Sequence, residues 1–367
     1  MPPVRFALRL PPLVLALVLL LAALWAALLR LGWAVPGLPG GAVANHGALM
    51  VGGFLGSLIS QERAVALRRR WPYAAPLLAA LGGVALLLGL PDALGQGLLL
   101  LGSLAFVAVA ATILRQQPAF FTVALLGGAV LWAAGNLLWL LGLPLSEVAQ
   151  WWAGFLILTI AGERLELTRV LGARRGREAA FLVAAGLLVA GLLAALLWPG
   201  IGVRLEGVGL LALALWHAGY DVARRTVRQR GLTRFVALCL LAGYAWLGVA
   251  GAVAVGYGSL SYGLIYDAFL HALFLGFVIS MIFGHAPVIF PAVLLRPMPF
   301  HAGFYAHVLL LHASLALRVA ADLAGALAWR RWAGLLNVTA LLLFLVVTAG
   351  TVLRARPAVA VPAGVHR

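Results

Sequence analysis

Apolar runs of about twenty residues, each bounded by proline, glycine or arginine, recur along this 367-residue chain. A hydrocarbon core about 30 Å thick takes roughly 20 residues of helix, and a helix satisfies its own backbone where no water can. The chain is 64% hydrophobic and only 10% charged, whereas a water-facing surface needs about a quarter of its residues charged. Soluble enzymes, nucleic-acid binders and disordered scaffolds are thereby excluded. The net charge of +16 does not rescue a nucleic-acid reading, because every basic residue is an arginine and most sit at the ends of apolar runs. The expected fold class is an all-α polytopic membrane protein, one integral membrane domain over residues 1–367, with the lipid bilayer as its first partner.

Cutting at proline, glycine and arginine clusters predicts about twelve transmembrane helices. They start near Leu8, Val43, Pro72, Ala93, Pro118, Glu147, Glu178, Ile201, Thr233, Leu264, Pro299 and Arg331. The first run, from about Leu8 to Trp33, is too long for a signal-peptide core and reads as a span. With both termini cytoplasmic, about 21 of the 26 arginines fall inside, among them Arg68, Arg69, Arg70, Arg174 and Arg175. Arg30, Arg204, Arg318, Arg330 and Arg331 remain outside. That asymmetry predicts a multi-pass protein of the cell inner membrane with an even number of spans. A single cysteine, Cys239, excludes a disulfide framework within the chain.

A repeat accompanies the periodicity. Gly53-Phe54 in span two, Gly154-Phe155 in span six and Gly276-Phe277 in span ten are each followed by an isoleucine six residues after the glycine. Nine residues after it stand Glu62, Glu163 and His285. Spans four apart in order predict three pseudo-repeated four-helix units, over about 1–115, 116–230 and 231–356, with 357–367 as a tail.

Ionisable groups inside spans are costly and are functional candidates. His46 lies seven residues before its repeat glycine and His271 five before, so their depths differ by about 3 Å. Two imidazoles so placed suit the axial positions of one b-type haem; the competing reading is two interfacial histidines hydrogen-bonded to backbone or water. Asp267, one turn before His271, would accept its second ring N–H. Arg318 and the other outer arginines would pair with the haem propionates. At the cytoplasmic side Glu62, Glu163 and His285 suit a second metal, copper or iron, or a proton path. His307 and Glu166 are possible additions to that set. The competing reading pairs Glu62 and Glu163 with Arg63, Arg164, Arg169 or Arg68 where the helices leave the membrane.

Other residues read as structural. His301 and His312 share a face about 16 Å apart, and His307 and His312 diverge by about 140° around the helix, so they hold no single metal. His217, near Asp221, is expected to meet a helix C-terminus; His366 falls in the tail. Trp151 and Trp152 are expected in an interfacial belt. Gly52, Gly56, Gly127, Gly128 and Gly135 predict close helix packing. Gly284-His285-Ala286-Pro287 followed by Pro291 predicts a kink or an end to span ten.

His46, Met50, Gly53 and Phe54, with His271-Ala272-Leu273, Gly276 and Met281, resemble the two histidine motifs of the NnrS family. These are polytopic haem- and copper-containing proteins linked to nitric oxide metabolism. The resemblance covers two helices and implies haem ligation by His46 and His271. The chain departs from it at Gly47-Ala48-Leu49, where the family has a second histidine and an acidic residue, and this bears on the copper site more than on the haem. More distantly, twelve helices in three arcs with histidines on spans two and ten are similar to the catalytic subunit of haem-copper oxidases and nitric oxide reductases. No histidine stands on span six, Phe269 occupies the place of the high-spin haem ligand, and the similarity does not extend to oxygen reduction at a haem-copper centre.

The sequence thus predicts a membrane haem protein handling electrons, nitric oxide or another small gas, served by an electron-donor protein if it turns over as a haem-dependent oxidoreductase. The alternatives are a proton-coupled secondary transporter using Glu62, Glu163 and His285, and a haem-delivery or oxidase assembly factor.

Overall fold

The computed structural model describes residues 4–38, 41–169, 175–294 and 296–355. Arg174, the tail 357–367 and His366 lie outside them. Among the described residues there are helices and no strands. In chain order the helices are α1 (Val4–Arg30), α2 (46–67), α3 (Trp71–Leu87), α4 (Asp92–Gln116), α5 (Phe120–Leu140), α6 (Leu145–Thr168), α7 (Arg175–Ala195), α8 (Pro199–Tyr220), α9 (Gly231–Tyr257), α10 (263–294), α11 (Phe304–Leu323) and α12 (Leu327–Arg354), with a one-turn helix Ala223–Thr226 between α8 and α9. Ten helices among the described residues are long and apolar enough to cross a membrane. The other two rods are α3, which is shorter, and α2, whose winding changes along its length.

The predicted starts fall within a few residues of these helices, because glycine and proline mark the turns. Gly32, Gly89, Gly142, Gly258 and Gly325 all take positive φ just past a helix end, a conformation that only glycine adopts without penalty.

The core follows the repeat. α2, α6 and α10 touch one another, and α1 packs against α12. α6 is the most deeply sunk, with 83% of its most apolar stretch buried. This corrects the expectation for Trp151 and Trp152. Both rings are buried, and the Trp152 indole donates to Asn136 Oδ1 at 3.0 Å rather than facing an interface.

Two of the three repeat helices also share an irregularity. α2 is wound as a π-helix over Leu49–Gly56 and α10 over Ala272–Ile279. Each segment has eight residues, with the Gly-Phe pair at its fifth and sixth positions, and returns to α-helix at a serine, Ser57 or Ser280. α6 carries the same Gly-Phe pair in unbroken α-helix. The break in α10 therefore lies upstream of the place the prolines suggest. Helix continues from Ser280 to Leu294 through Pro287 and Pro291, because a proline removes one backbone donor and crowds one carbonyl without obliging the chain to leave the helix.

Candidate functional site

Where α1 ends and α2 begins, the bundle encloses a cavity of about 570 Å³, within the roughly 300–1,000 Å³ usual for cofactor and ligand sites. Its apolar wall comes from residues such as Leu24, Met50, Val51, Leu55, Phe274 and Leu341. His46, Asp267, His271 and Arg318 all line it, together with Arg30 and Arg330. The four residues singled out from the sequence on three different helices therefore face one space.

Both imidazoles are held from behind. His46 Nδ1 lies 2.9 Å from the Ala23 carbonyl of α1. His271 Nδ1 lies 2.8 Å from the Asp267 carbonyl and 3.4 Å from Asp267 Oδ2. A ring nitrogen next to a carbonyl oxygen is the one that carries the proton, so each Nδ1–H donates. Nε2 is left on both rings as a lone-pair nitrogen with no hydrogen bond among the described residues. This is the arrangement in which an imidazole binds a metal, its orientation fixed and its basicity raised by the acceptor behind it.

The polar edge of the cavity is a chain of charges. Arg318 donates through Nε and Nη2 to Asp267 Oδ2 at 3.1 and 2.8 Å. Arg330 bridges Asp267 Oδ1, 3.3 Å away, and Asp322 Oδ1, 2.8 Å away. The latter is a contact of charges with poor hydrogen-bond alignment. Arg318 lines the cavity as expected, but its guanidinium is committed to Asp267. Asp322 escaped the sequence reading, and Arg330, expected as an outer arginine facing a propionate, instead meets two carboxylates. The signal available was an aspartate at the end of α11 with an arginine eight residues later in the first turn of α12, which the tight α11–α12 turn brings together.

At the opposite end of the bundle Glu163 is ion-paired with Arg63, as the competing reading had it, and both Glu62 and His285 lie within electrostatic reach of Glu163. The repeat thus brings its three polar residues into one neighbourhood. His285 Nδ1 donates to the Met281 carbonyl at 2.7 Å. Among the described residues no three His, Cys, Asp or Glu side chains are gathered as a metal-binding group. His307 stands apart in an aromatic cage, with Phe283 at 4.6 Å and Phe344 at 5.3 Å and neither ring nitrogen hydrogen-bonded. His301 contacts Thr351 Oγ1, and His312 accepts from the Trp246 indole, both at 3.0 Å.

Arg164 does not serve the glutamates. It forms a bidentate pair with Asp221 at 2.7 and 2.8 Å, and Asp221 also accepts from the Tyr244 hydroxyl at 2.9 Å and the Ala223 amide at 2.7 Å. Burial pushes the Asp221 carboxyl up, but the hydrogen bonds and charge of Arg164 outweigh it and hold the group below its ordinary value. His217 stands in the last turn of α8, at the helix C-terminus expected for it, where its ring stacks on Tyr244 at 4.6 Å with both nitrogens unbonded. Glu206 of α8 is fully buried with both oxygens unpartnered; the sequence reading passed over it, although an acid inside an apolar span was the available signal.

Fold and site together define a multi-helix protein of the membrane type with a histidine-lined cavity at one end of its bundle. In sequence, residues 9–353 match the model of a family described as Domain of unknown function (DUF8744), and the chain belongs to that family. No curated protein matches it.

Proposed function

We propose that this protein is an integral membrane b-type haem protein, with His46 and His271 as the axial ligands. The observation that carries the reading is the pair of cavity-lining imidazoles, each with Nδ1 donating to a backbone carbonyl and Nε2 unengaged. Haem would supply one-electron chemistry or gas binding. The residues of the chain orient the ligand nitrogens, surround the porphyrin faces with Leu24, Val51, Phe274 and Leu341, and place the Asp267 carboxylate behind His271. If both histidines held the haem, it would supply electron transfer rather than gas binding. Nitric oxide handling, as in the NnrS family that the motifs resemble, would require one histidine to leave.

In the same reading α2 and α3 also cross the bilayer, giving twelve spans in three four-helix units whose central helices are α2, α6 and α10. The arginine asymmetry places both termini in the cytoplasm at the inner membrane. Glu62, Glu163 and His285 then lie at the cytoplasmic end, where an Arg63–Glu163 pair with two further titratable groups suits proton exchange better than a second copper or iron.

Absorption spectroscopy tests the proposal. Protein purified after expression with ample haem should show a Soret band that is lost or displaced in both His46→Ala and His271→Ala. Absence of a band in the wild type, or an unchanged band in both variants, overturns it. A proton-coupled transporter would instead show no chromophore and would lose pH-dependent uptake in Glu163→Gln.

A further inference from the structure

The charges around the cavity do not cancel. Arg318 and Arg330 share Asp267, and Arg330 also meets Asp322, so both guanidinium groups already have carboxylate contacts within the chain. Asp267 is the sole acidic residue that lines the cavity among the described residues, and it already serves both arginines and His271. Arg30 is different. It closes the last turn of α1, its Nη1 donates to the Val43 carbonyl at 3.2 Å, and among the described residues it forms no ion pair.

Arg30 is also placed in register with His46. The carbonyl that orients His46 belongs to Ala23 of the same helix. Arg30 follows seven residues later, two turns on and on the same face, about 10 Å nearer the bundle end. One helix therefore positions an imidazole deeper in the cavity and, at its rim, an exposed guanidinium that forms no ion pair among the described residues. A ligand that fills this space needs an apolar body, a centre that accepts imidazole nitrogen, and an anionic edge turned toward the rim.

We propose that Arg30 is the residue that receives a ligand carboxylate in this cavity, and that Arg318 and Arg330 are not. The inference rests on the haem reading and deepens it: the propionate edge of the porphyrin faces the end of the bundle where α1 finishes. Arg318, the partner expected from sequence, acts by holding Asp267 behind His271. Releasing it to bind a propionate would leave that partly buried carboxylate without its closest cation, at a cost.

Titrating haem-free full-length protein with haem and with haem dimethyl ester, whose carboxylates are masked, separates these roles. Wild-type protein should bind haem about tenfold more tightly than the ester, which is about 1.4 kcal/mol. Arg30→Gln and Arg30→Ala should remove that preference and leave ester affinity unchanged. Arg318→Ala should weaken both ligands alike and shift the spectrum, since it disturbs the support of His271. Equal losses for the two ligands in both Arg30 variants, no loss for either, or an ester-sparing loss in Arg318→Ala would overturn the assignment. A wild type that binds neither ligand overturns the haem reading itself, and this inference with it. Ester binding by each variant reports that the cavity has folded.

Discussion

Asp221 shows how a single carboxylate can tie helices together. It sits just past α8, accepts a bidentate pair from Arg164 of α6 and a hydroxyl from Tyr244 of α9, and caps the one-turn helix at Ala223. Removing one partner of a buried pair costs about 3–5 kcal/mol, because the other charge is left behind. Arg164→Ala should therefore lower the midpoint of thermal unfolding in detergent markedly, and Tyr244→Phe should lower it less. The pH dependence follows from the depressed pKa of Asp221. Its contribution is fully present above the unfolded aspartate value of about 3.9 and is lost as pH falls through the lower folded value. An Asp221→Asn variant should be less stable than wild type at pH 6, with the gap narrowing below about pH 4 in an unfolding series. The sequence placed His217 near this carboxylate but paired Arg164 with the wrong acids. Helical spacing tells which residues share a face, whereas a pair between α6 and the end of α8 depends on how two helices meet.

The repeat motif was legible at the scale of the helix because Gly-Phe and the polar residue nine positions on survive in three helices. The three helices that carry it touch one another. The π winding was not legible. It depends on backbone hydrogen bonds slipping by one residue, and α6 carries the same Gly-Phe pair without it. The glycines do different work in the two π segments. A Cβ on Gly276 would overlap the Trp246 indole, whose N–H is bonded to His312, so the ring cannot swing away without breaking that bond. Gly276→Ala should cost about 1–3 kcal/mol from overpacking, read as a lower unfolding midpoint. Adding Trp246→Phe should recover little of it, since phenylalanine keeps the Cβ and Cγ that the new methyl group would meet.

For the molecule as a whole, composition alone separated bilayer from water, and the glycine turns located the helices. The cavity was only half visible. His46 and His271 were found by depth, whereas Asp322 and its contact with Arg330 depend on the α11–α12 turn, and the standing of Arg30 on seeing which arginines already have carboxylate contacts. Topology has a direct measurement. Cys239, the single native thiol, is buried, so thiol reagents should leave the wild type unlabelled. In intact membranes Tyr262→Cys, at an 88% exposed position by the cavity end, and Arg69→Cys, in the exposed α2–α3 turn, should label from opposite sides. Labelling from one side would refute an odd number of crossings between these positions. The two polar sites are joined through α10, on which His271 and His285 stand 14 residues apart, about 20 Å along a helix. At that separation and an effective dielectric near 20, a unit charge gained at one end changes the energy of a charge at the other by about 0.8 kcal/mol. That is little more than thermal energy: the two ends can sense each other's charge, but neither can command the other through the field alone.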